Sequence, residues 1–381
     1  MESKALLRCF YSPTMLKSIT IHDIARSLKI STSTVSRALN QSSRISAKTT
    51  TLVKKKAKEL HYQPNAIATS LRTGKSHTIG VMIPSAQINF FGSVVRGIEM
   101  IASSKGFNVL LYHSEESTQL EKKGIEVFIK ANAGGILASI AKETTNFSHF
   151  KDLSNKSIPL VLFDRTIADF KVPTVVIDDY KGAYNATEHL INVGYKRIAH
   201  VSGPQQLSNF KNRLQGYLAA LKANKITIDK KLIYSGDLSI QCGIESVGYF
   251  FGLKKIPDAV FAAEDYSALG IIKGLKERKV NMPKDFGVIG FANEMFGEHI
   301  SPSLSTVDQQ TEEMGKTAAD LLIKMINSGK TNTKKLNQHI ILEPLLKKGN
   351  PHFLGCAKSD NEFTKIIINH SFYNHSNQLI C

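Results

Sequence analysis

Between residues 77 and 348, short apolar runs alternate with amphipathic stretches of helical length. The apolar runs include HTIGVMIPS, NVLLYHS, GGILASI, IPLVLFDR, KRIAHVSGP, DAVFAAED and FGVIGFANE. Nearly continuous apolar strands separated by helices predict a parallel sheet that helices cover on both faces. This region is long for a single sheet of that kind, so we expect an α/β core of two lobes with parallel sheets.

A strongly basic segment precedes this core. The chain of 381 residues has 49 Lys and Arg against 32 Asp and Glu, a net charge of +17. Residues 17–75 contribute +10 of that charge, because they hold twelve basic residues and two acidic ones. Such a surplus indicates a polyanionic partner, either nucleic acid or an anionic membrane surface. No stretch approaches the roughly 18 consecutive apolar residues of a membrane span, which excludes an integral membrane protein.

The basic segment predicts three short helices over residues 20–62. Thr20 is a favourable N-cap for IHDIARSL, Ser31 or Thr32 for TSTVSRALN, and Ser46 for a third helix. The apolar residues expected to face inward in the first and third helices are Ile21, Ile24, Ala25, Leu28, Leu52, Val53, Ala57 and Leu60. Val35, Ala38 and Leu39 form the apolar side of the second helix.

The other face of the second helix carries Thr32, Ser33, Ser36, Arg37 and Asn40. Short hydrogen-bonding side chains with one arginine suit a helix that enters a major groove, where arginine can bind guanine through two hydrogen bonds. The nearby run KKKAK at residues 54–58 is either a solvated helix face or a source of long-range attraction to phosphate.

The N-terminal segment resembles the DNA-binding head of the LacI family of bacterial transcriptional regulators. The match runs through TIHDIARSLKISTSTVSRALN, ISAKT and YQPNAIATSLRTGKS, and its specific parts are TVSRALN and YQPN. The resemblance implies a hinge helix, AIATSL, that orders on DNA beside its twin, with Leu71 wedged into the minor groove and Arg72 at phosphate. The DNA-binding set expected is Thr20, Ser31, Thr32, Ser33, Ser36, Arg37, Asn40, Arg44, Ser46, Asn65, Ala68, Leu71 and Arg72.

The resemblance continues to about Lys348 through GVMIPS, HVSGP, NFKNRLQGY, FAAEDYSALG and VIGFANE. It implies a periplasmic-binding-protein-like core, in which two α/β lobes joined by crossover strands enclose a ligand cleft. It also implies a homodimer, whose two heads bind a pseudo-palindromic double-stranded DNA operator. Closure of the cleft on a small molecule would then control whether the two hinge helices pair.

Ligands of open α/β sheets bind beyond the carboxyl ends of the strands. The effector-binding residues expected there are Phe90, Phe91, Asp164, Arg213, Glu264, Asp265 and Asn293. Carboxylates, a guanidinium, an amide and aromatic rings are typical of a carbohydrate site. The resemblance implies that Arg213 contacts the effector, and the alternative is an interlobe salt bridge. For Asp164 and Glu264 the alternative is an ordinary surface loop.

Two positions depart from the family pattern. Family members often have Asn-Asp where this chain has Glu264 and Asp265, and many have an aspartate in place of Ala292. The added carboxylate argues against a phosphorylated effector at that end of the cleft, because like charges repel.

Other functional classes lack their sequence features. The chain has no P-loop, H-E-x-x-H, G-x-S-x-G or G-x-G-x-x-G motif, so we expect neither an enzyme nor a cofactor. A transport solute-binding protein needs a signal peptide, for which residues 1–16 are a poor candidate, and has no use for the basic head. A non-specific architectural DNA binder does not need a cleft. The four cysteines share no metal-site spacing, which indicates no metal and a reducing, cytoplasmic compartment.

The sequence therefore predicts an all-α helix-turn-helix head with a hinge helix, followed by the two-lobed core. We assign residues 1–16 to an N-terminal extension, 17–62 to the head, 63–76 to the hinge and linker, 77–348 to the core and 349–381 to an atypical tail. The extension is either native or the product of an upstream start, and the tail is either functional or the result of a frameshift or read-through. The function expected is that of a ligand-responsive transcriptional repressor.

Overall fold

The structure is a computed structural model, and it describes residues 19–40, 44–62, 76–166, 172–328 and 338–349. The predicted N-terminal extension, the hinge residues 63–75 and the tail from residue 350 lie outside these ranges. The chain divides into two compact units at Lys75 and Ser76, and each unit is described by itself.

The first unit contains three helices, α1 (Ile21–Leu28), α2 (Thr32–Leu39) and α3 (Ala47–Glu59). Their small core consists of Ile24, Ala25, Val35, Ala38, Val53 and Ala57. The prediction of three helices is confirmed in number and position. It was wrong for Leu52, which is 50% exposed. The inward face of α3 is set by Val53 and Ala57, four residues apart, and Leu52 lies about 100° around the helix from Val53.

Side-chain caps fix where these helices begin. The backbone amide and hydroxyl of Thr20 both donate to the Asp23 carboxylate, at 2.9 and 2.7 Å. Ser31 accepts from the Thr34 amide at 3.1 Å, so Ser31 rather than Thr32 caps α2. Ser46 accepts from the Thr49 amide at 3.2 Å and caps α3. These contacts satisfy amides that the first turn of a helix leaves without partners.

The second unit contains two parallel sheets, as the alternating pattern predicts. The strands of the larger sheet are β1 (Thr78–Ile83), β2 (Asn108–His113), β3 (Gly135–Ala138), β4 (Leu160–Phe163), β5 (Thr174–Ile177) and β11 (His339–Leu342). Those of the smaller sheet are β6 (Ile198–Ser202), β7 (Ile233–Ser235), β8 (Ala259–Ala262) and β9 (Gly287–Ile289). The larger sheet has the strand order β11-β5-β4-β3-β1-β2, and the smaller sheet has the order β7-β6-β8-β9.

Helices cover both sheets and define the two lobes. The first lobe is the larger sheet with α4 (Asn89–Ser104), α5 (Thr118–Lys130), α6 (Ser148–Asn155) and α12 (Thr311–Ser328). The second lobe is the smaller sheet with α7 (Asp179–Val193), α8 (Ser208–Ala223), α9 (Ile240–Phe251) and α10 (Asp265–Glu277). A short helix, α11 (Phe296–His299), a 3-10 helix (Lys230–Leu232) and an antiparallel ribbon of β10 (Thr306–Asp308) and β12 (Leu345–Lys347) complete the described elements.

Alternate residues of β1 show how one strand packs two helical layers. Ile79, Val81 and Ile83 belong to the apolar cluster that includes α4 and α12, whereas Met82 belongs to the cluster of α5 and α6. Successive side chains of a strand point to opposite faces, so a strand buried on both faces has to be apolar throughout. The α/β class and the parallel sheets predicted from the sequence are confirmed.

The chain crosses between the lobes after β5, after β10 and after β11. Each crossing lies near the carboxyl ends of the strands, so the loops that follow β4, β8 and β9 face the region between the lobes. Four of the effector candidates, Asp164, Glu264, Asp265 and Asn293, lie in or at the end of these loops, whereas Phe90 and Phe91 lie in α4 and Arg213 lies in α8.

Candidate functional site

The polar face of α2 is exposed in the first unit. Ser33, Arg37 and Asn40 are exposed, and Thr32 and Ser36 are half-buried, opposite the buried Val35 and Ala38. The hydroxyl of Ser33 lies 2.8 Å from that of Ser31, and the Asn40 side-chain amide donates to the Ser36 carbonyl at 2.6 Å. Arg37 extends from this face as a solvent-accessible guanidinium.

Three other predicted DNA-binding residues, Thr20, Ser31 and Ser46, are the helix caps described above. Arg44 is exposed in the segment before α3. In the KKKAK run the exposed side chains belong to Lys54, Lys55 and Lys58, while Lys56 pairs with Glu59 at 2.6 Å. Asn65, Ala68, Leu71 and Arg72 lie outside the described residues.

The cavity between the lobes has an empty volume of about 350 Å³, part of it open to solvent. It is lined by Ile88, Phe90, Phe91, Asp164, Arg165, Asn209, Arg213, Glu264, Asp265, Tyr266, Ala292, Glu294 and Gln309. Six of the seven effector residues predicted from the sequence therefore line one cavity. The exception is Asn293, whose side chain donates to Asp308 at 3.2 Å outside the lining.

Arg165 is the most deeply buried cation of the first lobe's wall. Its Nη1 donates to both carboxylate oxygens of Glu116, at 2.9 and 2.8 Å, and its guanidinium lies 5.5 Å from the ring centre of Phe91. Asp164 lies 3.7 Å from Nε and Glu264 lies 3.9 Å from Nη2. Arg165 therefore links the end of β4 to both walls of the cavity.

Arg213 occupies the corresponding place on the second lobe. Its guanidinium contacts Asp179 at 2.8 Å, donates to the Ala263 carbonyl at 2.7 Å and to Gln309 at 3.1 Å. It also lies 3.8 Å from the ring centre of Phe291. This buried network holds Arg213 in a fixed orientation, and its partner Asp179 belongs to the same lobe.

Asp265 organises the wall that follows β9. Its carboxylate accepts from the Glu294 amide at 2.8 Å and from the Thr306 hydroxyl at 2.7 Å, which fixes the loop that contains Ala292. Ala292 has φ 154°, a backbone conformation that residues other than glycine rarely adopt. Asp265 is thus a positioning residue as well as part of the lining.

Several contacts join the lobes across the cavity. Glu294 Oε1 accepts from the Phe90 amide at 3.1 Å, and Lys142 Nζ lies 3.4 Å from Glu264. The Tyr266 hydroxyl donates to the Gln87 carbonyl at 3.3 Å. Together these contacts hold the lobes close to each other around the cavity.

Burial raises the pKa of three carboxyl groups in this cavity. The pKa of Asp164 rises to about 6, mainly through burial and in spite of Arg165 and Arg213. That of Asp265 also rises to about 6 through burial. Burial, together with the charges of Asp265 and Glu264, raises the pKa of Glu294 to about 7. These groups respond to whatever charge enters the cavity.

Sequence reasoning missed seven lining residues, which are Ile88, Arg165, Asn209, Tyr266, Ala292, Glu294 and Gln309. Arg165 and Glu294 each follow a predicted site residue directly, so extending each strand-end candidate by one position would have found both. The sequence signal for the two amide residues was weaker. Asn209 is the second residue of α8, and Gln309 follows the end of β10.

Among the described residues, no cluster of three or more histidine, cysteine, aspartate or glutamate side chains could hold a metal ion. In the same ranges, no helix combines the length and apolarity needed to cross a membrane.

Two family models match the chain. Residues 20–65 match the model described as bacterial regulatory proteins, lacI family. Residues 76–348 match the model of periplasmic binding proteins and the sugar binding domain of the LacI family. The matches correspond to the helical unit and to the unit with two lobes.

Individual proteins show the same similarity over most of their length. Catabolite control protein A of Priestia megaterium is 32% identical over 311 residues, which are 81% of this chain and 93% of that protein. The HTH-type transcriptional repressor CytR of Escherichia coli K12 is 32% identical over 304 residues, 80% of this chain and 89% of that one. A solved complex of the transcriptional regulator CelR with cellobiose aligns with a TM-score of 0.66 and 27% identity, covering 87% of this chain and 99% of CelR.

Proposed function

Because the chain belongs to the LacI family of bacterial transcriptional regulators, we propose that it is a dimeric repressor that binds a pseudo-palindromic operator and senses a carbohydrate. The observation that carries this proposal is the combination, in one chain, of an exposed polar helix face with an arginine and a buried polar cavity. A DNA-binding unit alone does not need such a cavity, and a binding protein alone does not need the helix.

For DNA recognition we assign direct base contacts to Thr32, Ser33 and Arg37 on the exposed face of α2. Ser36, Asn40 and Arg44 extend that basic and polar surface, and the capping residues Thr20, Ser31 and Ser46 lie at helix N-termini, which attract phosphate. The arginine is the residue best suited to read a base pair, because its planar guanidinium can bind guanine through two hydrogen bonds.

The hinge contributes the second part of the DNA interface in this proposal. Asn65 caps a helix that contains Ala68, Leu71 inserts into the minor groove, and Arg72 binds phosphate. A helix of that length is not stable alone, so its formation can depend on DNA and on the second subunit. This dependence would give the effector a means of control.

For the effector we propose a carbohydrate in the interlobe cavity. Arg165, Asn209, Arg213 and Gln309 supply donors, the carboxylates supply acceptors, and apolar walls come from Phe90 and Phe91. A sugar needs this combination of directed hydrogen bonds and apolar surface. The relative CelR has been solved with cellobiose, which supports the same ligand class here.

The test is selection of random DNA duplexes by the purified full-length protein at near-physiological salt, with and without a pool of sugars. We expect an enriched palindrome, and a change in its occupancy when sugars are added. Binding that fades with salt and enriches no sequence would contradict the proposal and favour a non-specific DNA binder. An enriched half-site without symmetry would contradict the dimer.

A further inference from the structure

The cations that line the interlobe cavity are already neutralised by carboxylates outside the lining. Arg165 is bound through two hydrogen bonds by Glu116, and Arg213 contacts Asp179 at 2.8 Å. Neither Glu116 nor Asp179 lines the cavity. A ligand therefore meets two guanidinium groups that retain hydrogen-bonding capacity but little net charge.

The carboxylates of the lining are matched less completely. Lys142 lies 3.4 Å from Glu264 and offsets one of them. Asp164, Asp265 and Glu294 remain. Asp164 lies beside Arg165, whose charge Glu116 already offsets. Asp265 accepts two hydrogen bonds, from an amide and a hydroxyl group, but has no cation partner. The cavity thus holds more carboxyl groups than cations that could pair with them, and because an unmatched buried charge is costly, their pKa values are raised until a cation arrives.

Glu294 carries the part of this excess that has the fewest partners. Its side chain is 3% exposed, and its one hydrogen bond among the described residues comes from the Phe90 amide at 3.1 Å. In the same ranges no Lys, Arg or His nitrogen lies within ion-pair distance of it. The neighbouring Asp265 and Glu264 add negative charge and, together with burial, raise the pKa of Glu294.

A second acidic side chain lies near Glu294 in the cavity. Glu294 comes after β9 and Glu264 comes after β8, and both line the cavity. The charge of Glu264 contributes to the raised pKa of Glu294, so the two groups are close in space.

Arg165 provides a buried donor that has no hydrogen-bond partner in the described part of the chain. The residue is 2% exposed, and the donor is its Nε. A hydroxyl oxygen of the ligand could accept from it. The cavity therefore offers a donor for a hydroxyl group at Arg165, which has Asp164 and Glu264 beside it, and a carboxyl group without a cation at Glu294.

From this charge arrangement we infer that the effector carries a protonated amine, and that its chemical class is an amino sugar. The ammonium group lies against Glu294, while ring hydroxyls bind the guanidinium of Arg165. The inference rests on the proposed sensing of carbohydrate and specifies which carbohydrates are bound. Glu294 is then the residue that distinguishes an amine from a hydroxyl.

The test uses matched pairs of sugars that differ in one group: D-glucosamine and D-glucose, D-galactosamine and D-galactose, D-mannosamine and D-mannose. Binding to the full-length protein is measured by calorimetry and by thermal shift at pH 6.5. We expect at least one amine to bind roughly tenfold or more tightly than its hydroxyl partner. Equal or tighter binding of the hydroxyl sugars overturns the inference, and so does the absence of binding by all three amines.

Glu294→Gln tests the position of the ammonium group. The amide keeps the size of the side chain and an oxygen that can accept from the Phe90 amide. The variant loses only the negative charge that the carboxyl group gains when a bound ammonium lowers its pKa. We expect the preference for the amine to fall roughly tenfold in this variant. Glu298→Gln, at an exposed position four residues later, is the matched control and should leave the preference unchanged. An unchanged preference in Glu294→Gln would show that Glu294 does not bind the amine.

DNA selection separates this inference from the function it rests on. Specific operator binding together with a response to hydroxyl sugars would retain the proposed carbohydrate sensor and overturn the amine. Loss of operator specificity would instead contradict the proposed regulator, whatever the cavity binds.

Discussion

The exposed face of α2 and the interlobe cavity both contain arginine, but in opposite environments. Arg37 is exposed and forms no ion pair within the described ranges. Arg165 and Arg213 are 2% and 1% exposed, and each has a carboxylate partner within 3 Å. The same side chain therefore has a different physical role in each unit.

The difference explains what each surface can recognise. An exposed cation keeps its hydration and acts on phosphate and base edges through contacts that salt screens. A buried cation has lost its hydration on folding and is held by a network, so it can discriminate between ligands by geometry and charge. We expect binding of DNA to depend strongly on salt, and binding in the cavity to depend more on pH.

The same substitution at an exposed and a buried arginine gives the largest contrast. Arg213→Met leaves Asp179 buried without its partner, and burial already raises the pKa of Asp179 in the intact pair. We expect the free energy of unfolding to fall by about 3–5 kcal/mol. Arg37→Met should change it by less than about 0.5 kcal/mol. Urea denaturation of both variants measures the contrast.

A double variant separates the lost ion pair from lost packing. If Asp179→Leu is added to Arg213→Met, no buried charge remains at this site, and we expect part of the stability to return. A further loss equal to that of Asp179→Leu alone would mean that the two side chains do not interact energetically.

The residues that could be predicted from sequence are those whose role follows from local pattern. The three helices, their caps and the parallel sheets follow from apolar spacing and capping residues. Three cavity residues, Asp164, Glu264 and Asp265, follow from their positions at strand ends, Phe90 and Phe91 from the segment after the first strand, and Arg213 from the family resemblance. Leu52 was misplaced because two adjacent apolar residues leave the helix phase open. Arg165 and Glu294 were missed because their burial depends on partners far along the chain, Glu116 and Phe90.

Arg37→Ala tests the exposed face at the level of DNA sequence. Loss of the bidentate hydrogen bond between arginine and a base should weaken operator binding by about 1–3 kcal/mol. It should also relax the preference at one base pair of each half-site. Lys58→Ala is the control, since the loss of an exposed lysine should weaken binding to all DNA sequences and reduce the salt dependence of binding. Both effects can be read from binding isotherms on the operator and its single-base variants. An unchanged base preference in Arg37→Ala would contradict the assigned docking.

The smallest expected effect is a pH dependence of stability that comes from the cavity. The pKa of Glu294 is about 7 in the folded protein and near 4.5 in the unfolded chain, so the folded state holds the extra proton between these values. Stability therefore falls as the pH rises through 7. Between pH 6.5 and 8 we expect a loss of about 1 kcal/mol that is absent in Glu294→Gln. His200, whose pKa burial lowers to about 4, acts in the opposite direction, because half of the unfolded chains hold a proton on it at pH 6.5. This contribution is the same in both proteins and cancels in the comparison. Parallel slopes for the two proteins in urea titrations would show that Glu294 titrates normally, and the cavity would then not differ from the exposed face in its response to pH.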